Sequence, residues 1–140
     1  MQIKLTNFEL LNTYMCIKEL MKHKLPVKTG WNLSKNISTI ERVLKTLQEA
    51  ESKLIDMYAE KDEGGNAVYL NVNNVKLKEE FKKVYSEEYQ ELMNCENELD
   101  LLTIKLDDLI YTKNEKGEPT EREIEPSILH SLGQLIDDSE

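Results

Sequence analysis

The residues from Ser34 to Lys61 limit the fold more than any other part of the chain. Ile37, Ile40, Leu44, Leu47, Leu54 and Tyr58 recur at alternating spacings of three and four, and Glu51 alone interrupts them with a polar side chain. Val43, Ala50 and Met57 widen the stripe, so the pattern predicts a long amphipathic helix with a core-facing side. At 1.5 Å per residue it would run about 40 Å, more than a small domain is wide. Such a helix needs neighbours along its length, and the flanking sequence supplies two, a first and a third helix. Glu51 then marks the place in the seam where packing opens to water or to a partner.

Upstream, Met1 to Leu5 alternates weakly as a short strand does, and Thr6-Asn7-Phe8-Glu9 forms a capping box that starts a helix. Leu10, Leu11, Tyr14, Met15, Ile17, Leu20 and Met21 give that helix a broad apolar side. Lys22, His23 and Lys24 suit the negative end of its dipole. Pro26 forbids continuation, so Leu25–Thr29 reads as extended, and Gly30 as a break. Trp31, the sole tryptophan, is expected to pack at the entry to the long helix, which Ser34 or Asn36 would cap.

Downstream, Asp62-Glu63-Gly64-Gly65-Asn66 is a turn cluster. Val68, Leu70 and Val72 alternate as in a short strand, and a third helix is expected from Val75 to Glu96. The short connector should fold that helix back antiparallel on the long one. Glu98 to Lys105 reads as a strand that could pair with Leu25–Thr29, and Leu106–Ile110 as a turn of helix. Residues 111–124 read as a mobile loop, Pro126 as the first turn of a last helix, and Asp137 to Glu140 as an acidic tail. The fold class expected is α+β and predominantly helical. It comprises a long antiparallel helical hairpin, an N-terminal helix, a short C-terminal helix and a small sheet of two or three strands, within one domain spanning 1–140.

Composition narrows the function classes. With 39% hydrophobic and 32% charged residues the chain is neither disordered nor membrane-spanning, and its start lacks a signal peptide. Cys16 and Cys95 read as buried free thiols in a reducing, cytoplasmic setting. There is no phosphate-binding loop and no EF-hand, and Cys16 and His23 lie about 10.5 Å apart along one helix, too far to touch. His130 reads as a surface residue. No catalytic residue, cofactor or metal ion is therefore expected. Charge is uneven, however: residues 1–53 carry nine basic and five acidic side chains, and residues 54–140 nine basic and twenty-two acidic. The basic cluster around Lys18, Lys22, Lys24, Lys28 and Lys35 has one aromatic and no arginine, so nucleic acid is not the expected partner. The acidic half suits a basic groove on another protein, with Glu79, Glu80, Glu87, Glu88, Glu91, Asp107 and Asp108 as candidate contacts.

A series of short signposts also runs through the chain in order. They are Lys4-Leu5-Thr6-Asn7-Phe8-Glu9-Leu10, Leu25-Pro26-Val27-Lys28, Ser34-Lys35-Asn36-Ile37, Glu60 to Asn66, Leu99 to Leu106, and Glu125-Pro126-Ser127 through Leu132. Together they resemble a family of small proteins of unknown function from tailed phages and prophages of Gram-positive bacteria. The resemblance implies a phage origin and a bacterial cytoplasm, and implies no activity. The expected function is a non-enzymatic protein that engages and inhibits or redirects a host protein. The alternative is a virion-assembly accessory protein or chaperone acting as a homo-oligomer. No membrane partner is expected.

Overall fold

The computed structural model describes residues 2–72, 74–113, 119–121 and 124–137, and is α+β with helix predominant. Alternation makes Gln2–Thr6 a strand, β1, with Ile3 and Leu5 buried. Thr6 then caps helix α1, Asn7–Leu20: its hydroxyl accepts from the Glu9 amide and the Glu9 carboxylate accepts from the Thr6 amide, both at 3.1 Å. The face that α1 buries is narrower than expected. It follows Asn7, Leu10, Thr13, Ile17 and Leu20, while Phe8, Met15 and Met21 stay exposed.

Helix α2 spans Val27–Tyr58 and is about 48 Å long at 1.5 Å per residue. The expected extended segment at Leu25–Thr29 is therefore mostly helix. Proline restricts the residue before it, not the one after, and its missing N–H costs nothing at a helix start. The Pro26 carbonyl accepts the first helical bond, from Gly30 at 2.9 Å. Neither Ser34 nor Asn36 is a cap. Thr29, Leu33, Asn36 and Ile40 instead carry the buried stripe back through this first half of the helix. The earlier start also overturns the expectation for Trp31. It lies about 200° around the helix from both Thr29 and Leu33 and is 62% exposed.

By packing density the chain forms two compact units, residues 1–42 with 96–140, and residues 43–95. In the unit of residues 43–95, the main chain leaves α2 through an ordered turn. The Asp62 carboxylate accepts from the Gly64 and Asn66 amides, both at 2.9 Å, and Gly65 takes φ +80°, the left-handed conformation that glycine permits. Strands β2, Tyr69–Asn71, and β3, Asn74–Val75, pair antiparallel. The third helix starts later than Val75 because residues 76 and 78 are committed to backbone pairing. Glu60 N–H donates to Lys76 O, Lys76 N–H to Val68 O, and Val68 N–H to Glu60 O, a closed ring of three bonds of 2.7–2.8 Å. Lys78 N–H reaches Tyr58 O at 3.0 Å. A 3-10 turn, Glu79–Phe81, then leads into α3, Lys82–Met93. Tyr58 meets Phe81 and Tyr85, at ring-centroid distances of 5.3 and 6.4 Å, so α3 runs antiparallel to the end of α2. The helical hairpin is present with a shorter return arm than expected.

In the unit of residues 1–42 and 96–140, β4, Glu96–Asp100, pairs antiparallel with β1, placing Ile3 opposite Leu99 and Leu5 opposite Asn97. That N-terminal strand takes the place expected for Leu25–Thr29. The Asn97 amide donates to the Leu5 carbonyl at 3.2 Å and to Asn7 Oδ1 at 2.8 Å, which serves the buried Asn7 at the strand–helix junction. Strand β5, Ile104–Lys105, pairs parallel with β8, Ile136–Asp137. Between them come α4, Leu106–Ile110, the antiparallel pair β6, Tyr111–Lys113, and β7, Pro119–Glu121, and α5, Pro126–Ser131, with proline in its first turn. The segment expected to be a mobile loop thus contains a paired hairpin, its tip at 114–118 lying outside the described residues. Of the expected acidic tail only Asp137 is among the described residues. Leu10, Ile17, Leu20, Leu33, Ile40, Leu101, Leu109, Leu132 and Leu135 are each less than 2% exposed or nearly so and form the core of this unit.

Among the buried polar residues of this unit, Asn7, Thr13, Thr29 and Asn36, the last is the most deeply buried. Asn36, 1% exposed, donates through Nδ2 to the Leu102 carbonyl at 2.9 Å and accepts on Oδ1 from the Leu102 amide at 2.8 Å. The side chain does what a neighbouring strand would do, and fastens the extended segment after β4 to the middle of α2.

Candidate functional site

Within residues 43–95 the polar interruption at Glu51 has a structural answer. Its half-buried carboxyl faces Tyr85 and Tyr89, and burial raises its pKa above the usual carboxylate value. Burial, followed by neighbouring Tyr89 and Glu51, raises the Tyr85 phenol, and burial followed by Glu51 raises that of Tyr89. Tyr85 and Tyr89 stack with centroids 6.0 Å apart and an interplanar angle of 16°. At the other end of the cluster the Tyr58 hydroxyl hydrogen-bonds Glu88, which raises the phenol's pKa. A row of rings on α3 thus holds it against α2, with a carboxylate at each end.

This packing fixes what the opposite side of α3 shows. Glu80, Val84, Glu87 and Glu91 follow at spacings of four, three and four and are all exposed. Glu79, also exposed, forms an ion pair with Lys82 at 2.7 Å, and Glu88 is half-buried beside Tyr58. Five of the seven candidate residues therefore belong to one small unit, where Glu87 and Glu91 share one face of α3 and Glu80 lies in the 3-10 turn before it. Asp107 and Asp108 belong to the other unit, in the first turn of α4, where they suit its positive end.

Sequence reasoning missed the exposed apolar residues of this unit. Met57, Tyr69, Leu70, Val72, Val84 and Tyr89 are all at least 36% exposed, Leu70 reaching 69% and Val72 94%. The buried hydrophobic residues of the same unit are Leu44, Leu47, Ala59 and Met93. Alternation at 68–72 suggested a short strand or an extended loop, and β2 and β3 form a two-stranded ribbon whose residues are largely exposed. A strand pattern says that one side is apolar; it does not say that the chain covers that side.

The cysteines differ from expectation in one case. Cys16 is half-buried on α1, but Cys95 is exposed beyond the end of α3, its Sγ 3.3 Å from the Glu91 carbonyl. Cys16 and His23 line one cleft of about 500 Å³ together with Glu19 and Glu125, and Glu19 is already paired with Lys22 at 2.7 Å. Among the described residues no three His, Cys, Asp or Glu side chains converge in a way that could hold a metal ion. None of their helices is long and apolar enough to cross a membrane. The chain matches no protein-family model, no curated protein and no solved structure.

Proposed function

We propose that this is a phage-encoded, non-enzymatic binding protein that engages a host protein in the bacterial cytoplasm and inhibits or redirects it. The observation that supports this reading is the unit of residues 43–95, where more large apolar side chains are exposed than are buried and where Glu80, Glu87 and Glu91 are exposed as well. Apolar anchors with a charged rim are the composition of a protein–protein contact. The carboxylates would steer a basic partner surface toward it, and the apolar residues would hold it.

The test is affinity capture from infected cells with the wild-type protein and with Leu70→Asp and Val84→Asp variants. Both positions are exposed, so circular dichroism should be unchanged. Capture of one host protein by the wild type and its loss with either variant is the expected result. Recovery of virion proteins alone would favour the assembly role instead. Equal capture by all three proteins would remove this surface from the account.

A further inference from the structure

The expectation that Trp31 is packed in a helix junction fails, and its exposure has a setting of its own in the unit of residues 1–42 and 96–140. Lys28, Trp31, Lys35, Ser38 and Arg42 follow one another along α2 at spacings of three and four, all exposed. The Lys35 ammonium lies 5.5 Å from the centre of the Trp31 ring. Beside this row is a cleft of about 510 Å³ whose far wall is Asp100 and Leu102. The Leu102 side chain is 38% exposed, while its amide and carbonyl are both bound by the buried Asn36. The far wall is thus fixed to the helix that forms the near one, so the cleft is pre-formed.

Its chemistry selects an occupant. Two apolar groups, Trp31 and Leu102, face the space, Lys35 and Arg42 line it, and Lys28 continues the basic row one turn before Trp31. Asp100 belongs to the opposite wall. A single strand of nucleic acid is held by successive stacked aromatic rings, and this row offers Trp31 alone. An acidic peptide can keep its charges on the lysine side and turn an apolar side chain inward. The peptide groups of Leu102 are already taken, so no strand can add there and recognition falls to side chains.

We propose that this cleft is a docking site for a short acidic segment of another protein. One aliphatic or aromatic side chain enters between Trp31 and Leu102, and its flanking carboxylates meet Lys28 and Lys35. Its charge is opposite to that of the exposed carboxylates of residues 43–95, so the two would take unlike partners, an extension that rests on the function proposed above.

Because Trp31 is the only tryptophan, its emission reports directly on the cleft in the intact protein. The probe is a capped peptide, Glu-Asp-Glu-Phe-Glu-Asp-Glu. The expected result is a saturable blue shift that weakens with added salt and binding about tenfold weaker in Lys28→Gln/Lys35→Gln. A Lys28→Glu/Lys35→Glu variant should lose binding further, and circular dichroism checks that both variants stay folded. Three results would overturn the proposal. They are no saturable change up to about 1 mM peptide, tighter binding of oligothymidylate than of the peptide, and a shift that follows protein concentration without peptide, which would assign the cleft to a second copy.

Discussion

Replacing Asn36 by alanine tests the central fastening of the fold. The substitution removes both hydrogen bonds to Leu102, at 2.8 and 2.9 Å, and leaves an amide and a carbonyl without their partner. A buried group left unsatisfied costs about 1–3 kcal/mol. Leu102 is 38% exposed, so water can reach part of that segment and the low end of the range, about 1–1.5 kcal/mol, applies to each of the two groups. The expected loss is about 2–3 kcal/mol, set against the 5–15 kcal/mol of a typical fold. With a urea slope of about 2 kcal/mol per molar, the midpoint should fall by about 1 M. Far-UV circular dichroism gives the midpoint, and amide exchange gives the location: the Leu102 N–H should lose protection ahead of the β1–β4 amides. A midpoint change below about 0.2 M with Leu102 still protected would refute the reasoning. Asn36→Asp separates the two bonds. A carboxylate there still accepts from the Leu102 amide but faces the Leu102 carbonyl with no proton to give. Its folded pKa must lie above the unfolded value of about 3.9, so stability should be poor at neutral pH and recover on acidification.

Two further outcomes follow from named contacts. The raised pKa of Glu51, caused by burial, means that its contribution to stability is complete below the unfolded value of 4.5 and is lost as pH rises through the folded value. Glu51→Gln should therefore raise the melting temperature at pH 7 by an amount that vanishes toward pH 4, and a pH-independent gain would count against the assignment. Thr6→Ala removes the acceptor for the Glu9 amide and the geometry of the reciprocal bond. It should cost about 1 kcal/mol, read by urea denaturation, with faster amide exchange confined to the first turn of α1.

What the sequence could and could not show divides along physical lines. The Thr6 capping box, the turn at Asp62–Asn66 and the start of α5 at Pro126 are local chemistry, complete within a few residues, and all are present. The first two turns of α2, residues 27–33, are missed because Pro26 and Gly30 read as breaks and Thr29, a member of the buried stripe, is polar. Asn36 looked like a cap for the same reason that it works as a clamp: a short amide can bond to backbone groups. The partner of β4 was equally out of reach, since alternation identifies a strand and not its neighbour. On the candidate surface the acidic residues of α3 could be located from spacing alone. The exposure of Trp31, Leu70 and Val72 could not, because hydropathy records what a side chain prefers rather than what is left to cover it.

The ring formed by Glu60, Val68 and Lys76 has a consequence for how this protein can change. Each of the three residues gives its N–H to one member and its C=O to the other, so the clasp leaves none of these six groups for an added strand. Between its members lie two lobes of equal length, residues 61–67 with the glycine turn and residues 69–75 with exposed Leu70 and Val72. The clasp is made of backbone, which any sequence supplies. The second lobe can therefore exchange its side chains while α2 and α3 keep the contacts that hold them together. A protein under pressure to follow a changing target would then need to rewrite only a few residues between two fixed points.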